Sequence, residues 1–342
     1  MKFPALVQRR PGPVAKASVF VNNDGAVTNR DFAANVERAR RRIRRDVLRT
    51  PLAPSPELSR AFGIDVRIKW ECEQISGSFK LRGAFNALRS LTPARRKAGV
   101  VSASTGNHGL AMTQAAGRIG VSLELYVPET IAEIKKKKLQ RGGARLIVRG
   151  ATCDQSEILA RSAAAESGRT FISPYNDRSV IFGQGTVGLE ILEDAPDADV
   201  VLVPVGGGGL AAGIAGILRS RKRSIEVWGV EPVHSAFLRA AFEAGRLVDI
   251  PEKPTLADAV AGGLEPGSIT FGLCRRYLKG LIAVEERTLR TALRTMIRLR
   301  GGLVEGAGAL ALAGLMKERS RFRGRRVVLV VSGRNADPAG SF

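Results

Sequence analysis

Cys72-Glu-Gln-Ile-Ser-Gly-Ser-Phe-Lys-Leu-Arg-Gly-Ala-Phe-Asn-Ala-Leu88 is the stretch on which the reading of this chain turns. It follows an alternating apolar run, Val66, Ile68 and Trp70, with the period of a strand. Ser76, Gly77 and Ser78 break that period, and Lys80 falls where a helix should begin. Phe79, Gly83 or Ala84, Ala87 and Leu88 supply the helical spacing. A lysine at a helix start faces the positive end of the helix dipole, which disfavours a cation there. The same placement lowers the amine's pKa and sets it beside a natural anion site. Both properties suit a lysine that forms a Schiff base with a carbonyl. A solvated surface lysine would fit the local pattern as well, so the rest of the chain has to decide.

The 342 residues are enough for two domains or one large α/β unit. Hydrophobic residues are 44% and charged residues 25%, the balance of an ordinary globular protein. There is no apolar run of about 18 residues, so no membrane partner is expected. The opening Met-Lys-Phe-Pro-Ala-Leu-Val-Gln-Arg-Arg-Pro lacks the apolar core and cleavage site of a secretory signal. Cys72, Cys153 and Cys274 are scattered and odd in number, as expected of thiols in a reducing cytoplasm. With only His108 and His234, no histidine-rich metal centre is expected. The net charge of +22 raises nucleic-acid binding as a possibility. However, the basic residues are spread along the chain and aromatics are only 5%. The six arginines between Arg38 and Arg45 and the run Lys135 to Lys138 read as solvated helix faces. No specific nucleic-acid partner is expected.

In order, residues 1–30 read as an arm with Pro11, Pro13 and a turn at 21–25, followed by a helix over 31–48 and a proline-rich loop through Pro56. A short helix from Glu57 to Phe62 leads into the strand before Lys80. After Pro93, strands at 99–103, 123–127, 144–148 and 170–173 alternate with helices through Ala116, over 129–141 and over 153–166. A helix at 183–193 precedes the most apolar strand, Val200 to Val205, which runs into Gly206 to Gly209 and a helix from Leu210 to Leu218. A strand follows at 225–230. Helices then fill most of 234–246, 286–300 and 306–319, and a last strand at 326–331 enters Ser332-Gly-Arg-Asn335. This alternation predicts α/β architecture with parallel sheets flanked by helices.

Three loops follow strands where one ligand could be held. Gly206, Gly207, Gly208 and Gly209 before a helix make a phosphate cradle, because glycines permit close approach and the helix start offers free N–H groups. The same residues loosely match a dinucleotide fingerprint through Gly206, Gly208 and Ala211, with Glu226 or Glu231 as a ribose-binding acid. An NAD(P)-dependent Rossmann oxidoreductase is therefore a rival reading. Against it, such a strand usually opens its domain, and no hydride-transfer acid or base follows. Ser104, Thr105, Gly106, Asn107 and His108 form a second strand-to-helix turn, open to an ordinary capping reading. Ser332 to Asn335 is the third loop, beyond the carboxyl end of a buried strand.

Together these blocks resemble the threonine dehydratase and serine racemase family of fold type II pyridoxal phosphate (PLP) enzymes. The resemblance runs from Thr50 to Asn335. It rests on Ser78 to Ala84, Ser104 to His108, Gly183-Gln-Gly-Thr186, Gly206 to Gly209 and Glu305-Gly-Ala-Gly-Ala309. It implies a tryptophan synthase β-subunit-like fold with Lys80 as the Schiff-base lysine and Phe79 packed on the ring. Asn107 would bond the ring hydroxyl, and Gly206 to Gly209 with Leu210 would hold the phosphate. Ser332 would face the pyridine nitrogen, and Ser104 to Asn107 would receive the substrate carboxylate. A serine hydroxyl does not keep that nitrogen protonated, which weakens the electron sink and favours β-elimination over transamination. The implied reaction is dehydration and deamination of a β-hydroxy amino acid such as L-threonine or L-serine. Lys80 removes the Cα proton, the β-hydroxyl leaves with help from the phosphate, and the enamine hydrolyses to a 2-oxo acid and ammonia.

Departures from the family pattern narrow this reading. Thr105 stands where racemases use a serine as acid/base, so racemisation is disfavoured. Arg334 replaces a glycine and is expected beside the ring, and Ala259 also stands where glycine is usual. Thr105, Arg334, Gly262 and Gly263 together resemble hydroxyectoine-utilisation dehydratases, while Glu305 to Ala309 resembles short catabolic threonine dehydratases. The racemase metal site would need an acid at Phe237 beside Glu231, so no metal is expected. Because the chain ends soon after Asn335, the regulatory domain of the isoleucine-pathway enzymes is not expected. The resemblance also implies a cytoplasmic homo-oligomer, dimer or tetramer. It places a large PLP-binding domain at 1–98 and 177–342 and a small substrate-side domain at 99–176.

Overall fold

The computed structural model describes residues 28–336. The arm read at 1–30 therefore lies, but for its last three residues, outside the described residues. Thr28 caps α1 (Asn29–Ile43), its hydroxyl accepting the Asp31 N–H at 3.1 Å. β1 (Leu52–Pro54), α2 (Pro56–Phe62) and β2 (Asp65–Lys69) follow. The proline-rich stretch read as loop thus contains a short strand. It pairs antiparallel at the sheet edge, where a proline without an N–H is tolerated. α3 (Lys80–Ser90) begins at Lys80, and α4 (Pro93–Ala98), which the sequence pattern did not separate from its loop, leads to β3 (Val100–Ala103).

From β3 the chain alternates through α5 (Asn107–Ile119), β4 (Leu123–Val127), α6 (Glu133–Arg141), β5 (Arg145–Val148), α7 (Cys153–Ser167) and β6 (Thr170–Phe171). These strands form a parallel four-stranded sheet in the order β5-β4-β3-β6. α8 (Arg178–Asp194) starts five residues before its expected position because the Asp177 carboxylate caps it, accepting the Val180 N–H at 3.0 Å. Then come β7 (Val200–Pro204), α9 (Gly209–Arg221), β8 (Glu226–Pro232), α10 (Phe237–Ala244), α11 (Ile269–Tyr277) and β9 (Gly280–Val284). The sequence reading missed both α11 and β9. α12 (Glu286–Arg300), α13 (Gly306–Lys317) and β10 (Arg326–Val330) complete the order.

The second sheet runs β1-β2-β10-β7-β8-β9 and is parallel apart from the β1 edge. Every residue of β7 is buried, as a strand covered on both faces requires. The last strand enters the middle of this sheet, with Val327 registered between Val66 of β2 and Val200 of β7. That insertion places the carboxyl ends of β2, β10 and β7 side by side. Apolar residues of α12 and α13 cover one face of the sheet, and those of α1, α8 and α9 cover the other. α3 packs against α8 and, through Leu81, Phe85 and Leu88, with α5 and the four-stranded sheet. No described helix is long and apolar enough to cross a membrane.

Candidate active site

The helix carrying Lys80 has an unusual start. No side chain caps α3; its entry is held by the last strand's exit. Cys72 N–H donates to Val331 O at 2.9 Å, Phe79 N–H to Ser332 O at 3.1 Å and Arg334 N–H to Gly77 O at 2.9 Å. Asn335 Nδ2 adds a bond to Ser76 O at 2.8 Å, across 259 positions of sequence. Two distant segments are thereby fastened side by side, with Lys80 at their junction.

The Lys80 amine donates to Pro174 O at 2.9 Å and lies 5.2 Å from the Phe79 ring centroid. Burial pulls its pKa down to about 8, against the opposing attraction of Glu305. It opens onto a cavity of about 790 Å³. Lys80, Ser104, Thr105, Gly106, Asn107 and Gly207 all line this cavity, so residues from three separate loops converge there. Among the expected residues, Phe79, Gly206, Gly208, Gly209, Leu210 and Ser332 do not line it. The Tyr175 ring explains part of this, since it packs over the glycine loop. A Cβ on Gly207 would fall 2.3 Å from Tyr175 Cγ. Gly208 adopts φ +82°, which completes the sharp entry into α9. The first-turn amides of α9 point outward without helical partners, as at any helix start. The Leu210 side chain itself is part of the core.

The Ser104 hydroxyl accepts the Gly106 N–H at 3.2 Å, shaping the turn before α5. Thr105 and Cys153 both line the cavity. The Asn107 amide is engaged at both ends. Its Nδ2 donates to Glu305 Oε1 at 2.8 Å and Oε2 at 2.9 Å, and its Oδ1 accepts from Asn335 Nδ2 at 2.7 Å. Burial raises the Glu305 carboxyl to about 7, with the Asn107 hydrogen bond opposing. In the sequence Glu305 stands only as the first residue of a motif; an acid heading an otherwise apolar helix is the signal for its role in the site. Pro174 and Tyr175 give no such signal, since they contribute a carbonyl and a ring by position alone. His108 is buried, its Nε2 3.0 Å from Ser102 Oγ. Burial, then the Lys80 charge, lowers its pKa to about 3, so the ring stays neutral and is a weak base.

Two expectations need correction. Arg334 is turned away from the cavity; it and Arg300 bond the two oxygens of Glu73, each at 2.6 Å. Its backbone passes the site while its long side chain finds a carboxylate outside. The ribose-binding role weighed for Glu226 or Glu231 also fails. Glu226 accepts from Arg325 at 2.8 Å and Trp228 at 3.2 Å, while Glu231 accepts the backbone N–H groups of Leu238 at 2.9 Å and Arg239 at 3.0 Å. Phe237 is buried beside Glu231, and no cluster of three or more metal-ligating side chains occurs among the described residues.

These residues fit an anionic, ring-bearing aldehyde. Ser332 is 2% exposed, and its hydroxyl has no hydrogen-bond partner among the described residues. A buried orphan of this kind is rare without a ligand or water to satisfy it. The glycine turn and the α9 amides suit a phosphate. Comparison with known proteins agrees with this chemistry. A family described as pyridoxal-phosphate dependent enzyme matches residues 43–333. The L-threonine ammonia-lyase of Thermotoga maritima is 37% identical over 303 residues, 89% of this chain and 75% of that protein. The processed form of threonine deaminase isoform 2 from Solanum lycopersicum superposes with a TM-score of 0.87 at 29% identity, covering 91% of this chain and 90% of that one. Maize serine racemase gives 0.85 at 30% identity, covering 90% and 94%. This chain belongs to the pyridoxal-phosphate dependent enzyme family.

Proposed function

We propose that the protein is a pyridoxal 5'-phosphate-dependent ammonia-lyase that dehydrates and deaminates a β-hydroxy amino acid such as L-threonine or L-serine to a 2-oxo acid and ammonia. The observation that carries this is the Lys80 amine, lowered to about 8 and opening onto the cavity lined by Asn107 and Gly207, with a buried, unpartnered hydroxyl on Ser332, the residue whose carbonyl holds the Phe79 N–H. Lys80 would hold the cofactor aldehyde, Ser332 would meet its ring nitrogen, Asn107 its ring hydroxyl, and the glycine loop with the Leu210 amide its phosphate. Phe79 would pack on the ring. Bound there, the cofactor supplies an electron sink for bond breaking at Cα.

The chain's own groups do the rest. A Lys80 amine near pKa 8 is neutral in a usable fraction at neutral pH, so it can take a proton from Cα. The Ser104 to Asn107 turn presents the start of α5 to the substrate carboxylate. Glu305, raised by burial to about 7, shares its oxygens with Asn107 and keeps that corner polar. Thr105 lines the cavity, and its extra methyl restricts the rotamers able to aim its hydroxyl at the second face of Cα, which favours elimination over racemisation. The same reading takes the chain as a cytoplasmic homo-oligomer, dimer or tetramer, without a specific nucleic-acid partner. It divides the chain into a large cofactor-binding domain (1–98 and 177–342) and a small substrate-side domain (99–176).

The test is 2-oxo acid and ammonia release from a panel of threonine, serine, hydroxyaspartate and hydroxyectoine derivatives. Activity confined to the last would favour the hydroxyectoine-type dehydratase. No release from any, despite bound cofactor, would refute the ammonia-lyase reading.

A further inference from the structure

Behind Lys80 lies a set of charges that the chemistry above does not use. Lys69, Glu71, Arg82 and Glu190 are 0%, 0%, 1% and 7% exposed, and their formal charges cancel. Arg82 sits at the centre with both edges of its guanidinium occupied. Its Nε and Nη2 bond the two Glu71 oxygens, each at 2.8 Å. Nη1 and Nη2 bond the Glu190 oxygens at 2.6 and 2.9 Å. Lys69 Nζ closes the cluster onto Glu190 at 2.5 Å and Thr50 O at 2.6 Å. Thr186 and the Leu48 carbonyl take further Arg82 contacts at 3.2 Å.

Such a cluster is a poor device for stability alone, because desolvating four charges offsets most of their attraction. What it does supply is direction, since a doubly forked arginine satisfies both carboxylates in one orientation only. Arg82 is two residues after Lys80, which is about 200° around the helix. With Arg82 fixed toward β2 and α8, Lys80 must face the other way, into the cavity. Backbone bonds from the last strand's exit hold the helix start in place, and no side chain caps it. It also lies flush on α8, where a Cβ on Gly183 would come 2.7 Å from Gly83 Cα.

We propose that Arg82 is a positioning residue, and that the buried Glu71–Arg82–Glu190 clamp sets where the Lys80 amine stands in the cavity. The proposal rests on Lys80 being the cofactor lysine. Arg82→Lys keeps the charge but cannot span both carboxylates. The primary measurement is the pH midpoint for acylation of Lys80 in cofactor-free protein, read by peptide mass spectrometry. In Arg82→Lys the amine escapes its buried place, and the midpoint rises by about 1 pH unit toward that of an ordinary lysine. In the loaded enzyme kcat falls on the order of 10-fold or more, with KM changed by less than about 3-fold, the signature of a displaced reacting group. An unchanged Lys80 midpoint, whatever the loss of Tm, reduces the clamp to a brace and overturns the proposal. Should Arg82→Lys not fold, Glu190→Gln loosens one side of the clamp and is judged by the same midpoint. The labelling needs no turnover. A shifted midpoint without 2-oxo acid release from any substrate sinks the ammonia-lyase reading and supports the clamp, whereas release with no shift sinks the clamp alone.

Discussion

Glu231 is 1% exposed at the end of β8, and its two oxygens cap α10 by accepting the Leu238 and Arg239 amides. Burial raises its pKa from 4.5 to about 8, the two backbone bonds opposing. A raised acid pKa means that the folded state holds the proton more tightly than the unfolded chain. The stabilisation is therefore complete below about pH 4.5 and is lost as the pH climbs through 8. Linkage over that interval gives a loss of roughly 3 kcal/mol between about pH 5 and pH 8, at about 1.4 kcal/mol per pH unit. A glutamine in this place cannot titrate. Its –NH2 opposes one of the two amide donors, so Glu231→Gln should be less stable than wild type at about pH 5 by about 1–3 kcal/mol. Urea melts of both proteins at pH values of about 5, 6.5 and 8 measure the difference, and pH effects common to both cancel. The gap should move by about 3 kcal/mol in favour of the Glu231→Gln variant as the pH rises. A gap constant across this range would refute the reasoning. So would a wild-type Tm raised by millimolar Mg²⁺ or Ca²⁺ and unchanged in Glu231→Gln, which would mean that the acid serves a cation rather than a helix end.

Lys80→Ala should abolish 2-oxo acid release, and borohydride reduction of the wild type should place the pyridoxyl label on Lys80 by peptide mapping; a label on another lysine contradicts the site. With L-serine and L-threonine, 2-oxo acid should far exceed the epimer, and Thr105→Ser should raise epimer formation, since a threonine misplacing its hydroxyl by ~1 Å can lose on the order of 100-fold; chiral chromatography beside a keto-acid assay decides. Gly207→Ala drives a methyl into the Tyr175 ring and should weaken PLP binding at least about 10-fold, the overpacking cost being about 1–3 kcal/mol. Absorbance titration of cofactor-free protein reads this, and unaltered affinity would remove the glycine loop from the phosphate site.

The alternation of strands and helices, the helix start at Lys80 and the glycine turn after Val205 were legible in the residues themselves, because each is a local matter of periodicity and turn chemistry. Short or edge elements such as β1, α4 and β9 were not, since a few residues carry little periodic signal and sheet pairing decides. Motif order was enough to bring Lys80, Asn107, the glycine loop and Ser332 under one reading. Their physical meeting depends on β10 entering the sheet between β2 and β7, a pairing of Val327 with Val66 and Val200 that no local pattern encodes. The direction of long side chains was likewise beyond local reading. Arg334 lies beside the site in sequence, yet it turns to Glu73 because a carboxylate waits outside the cavity. Glu305 looked like one residue of a helix motif, and only burial against Asn107 and near Lys80 makes it a titrating part of the site. Burial and charge pairing depend on neighbours from distant segments, and those neighbours take their places only when the whole sheet packs.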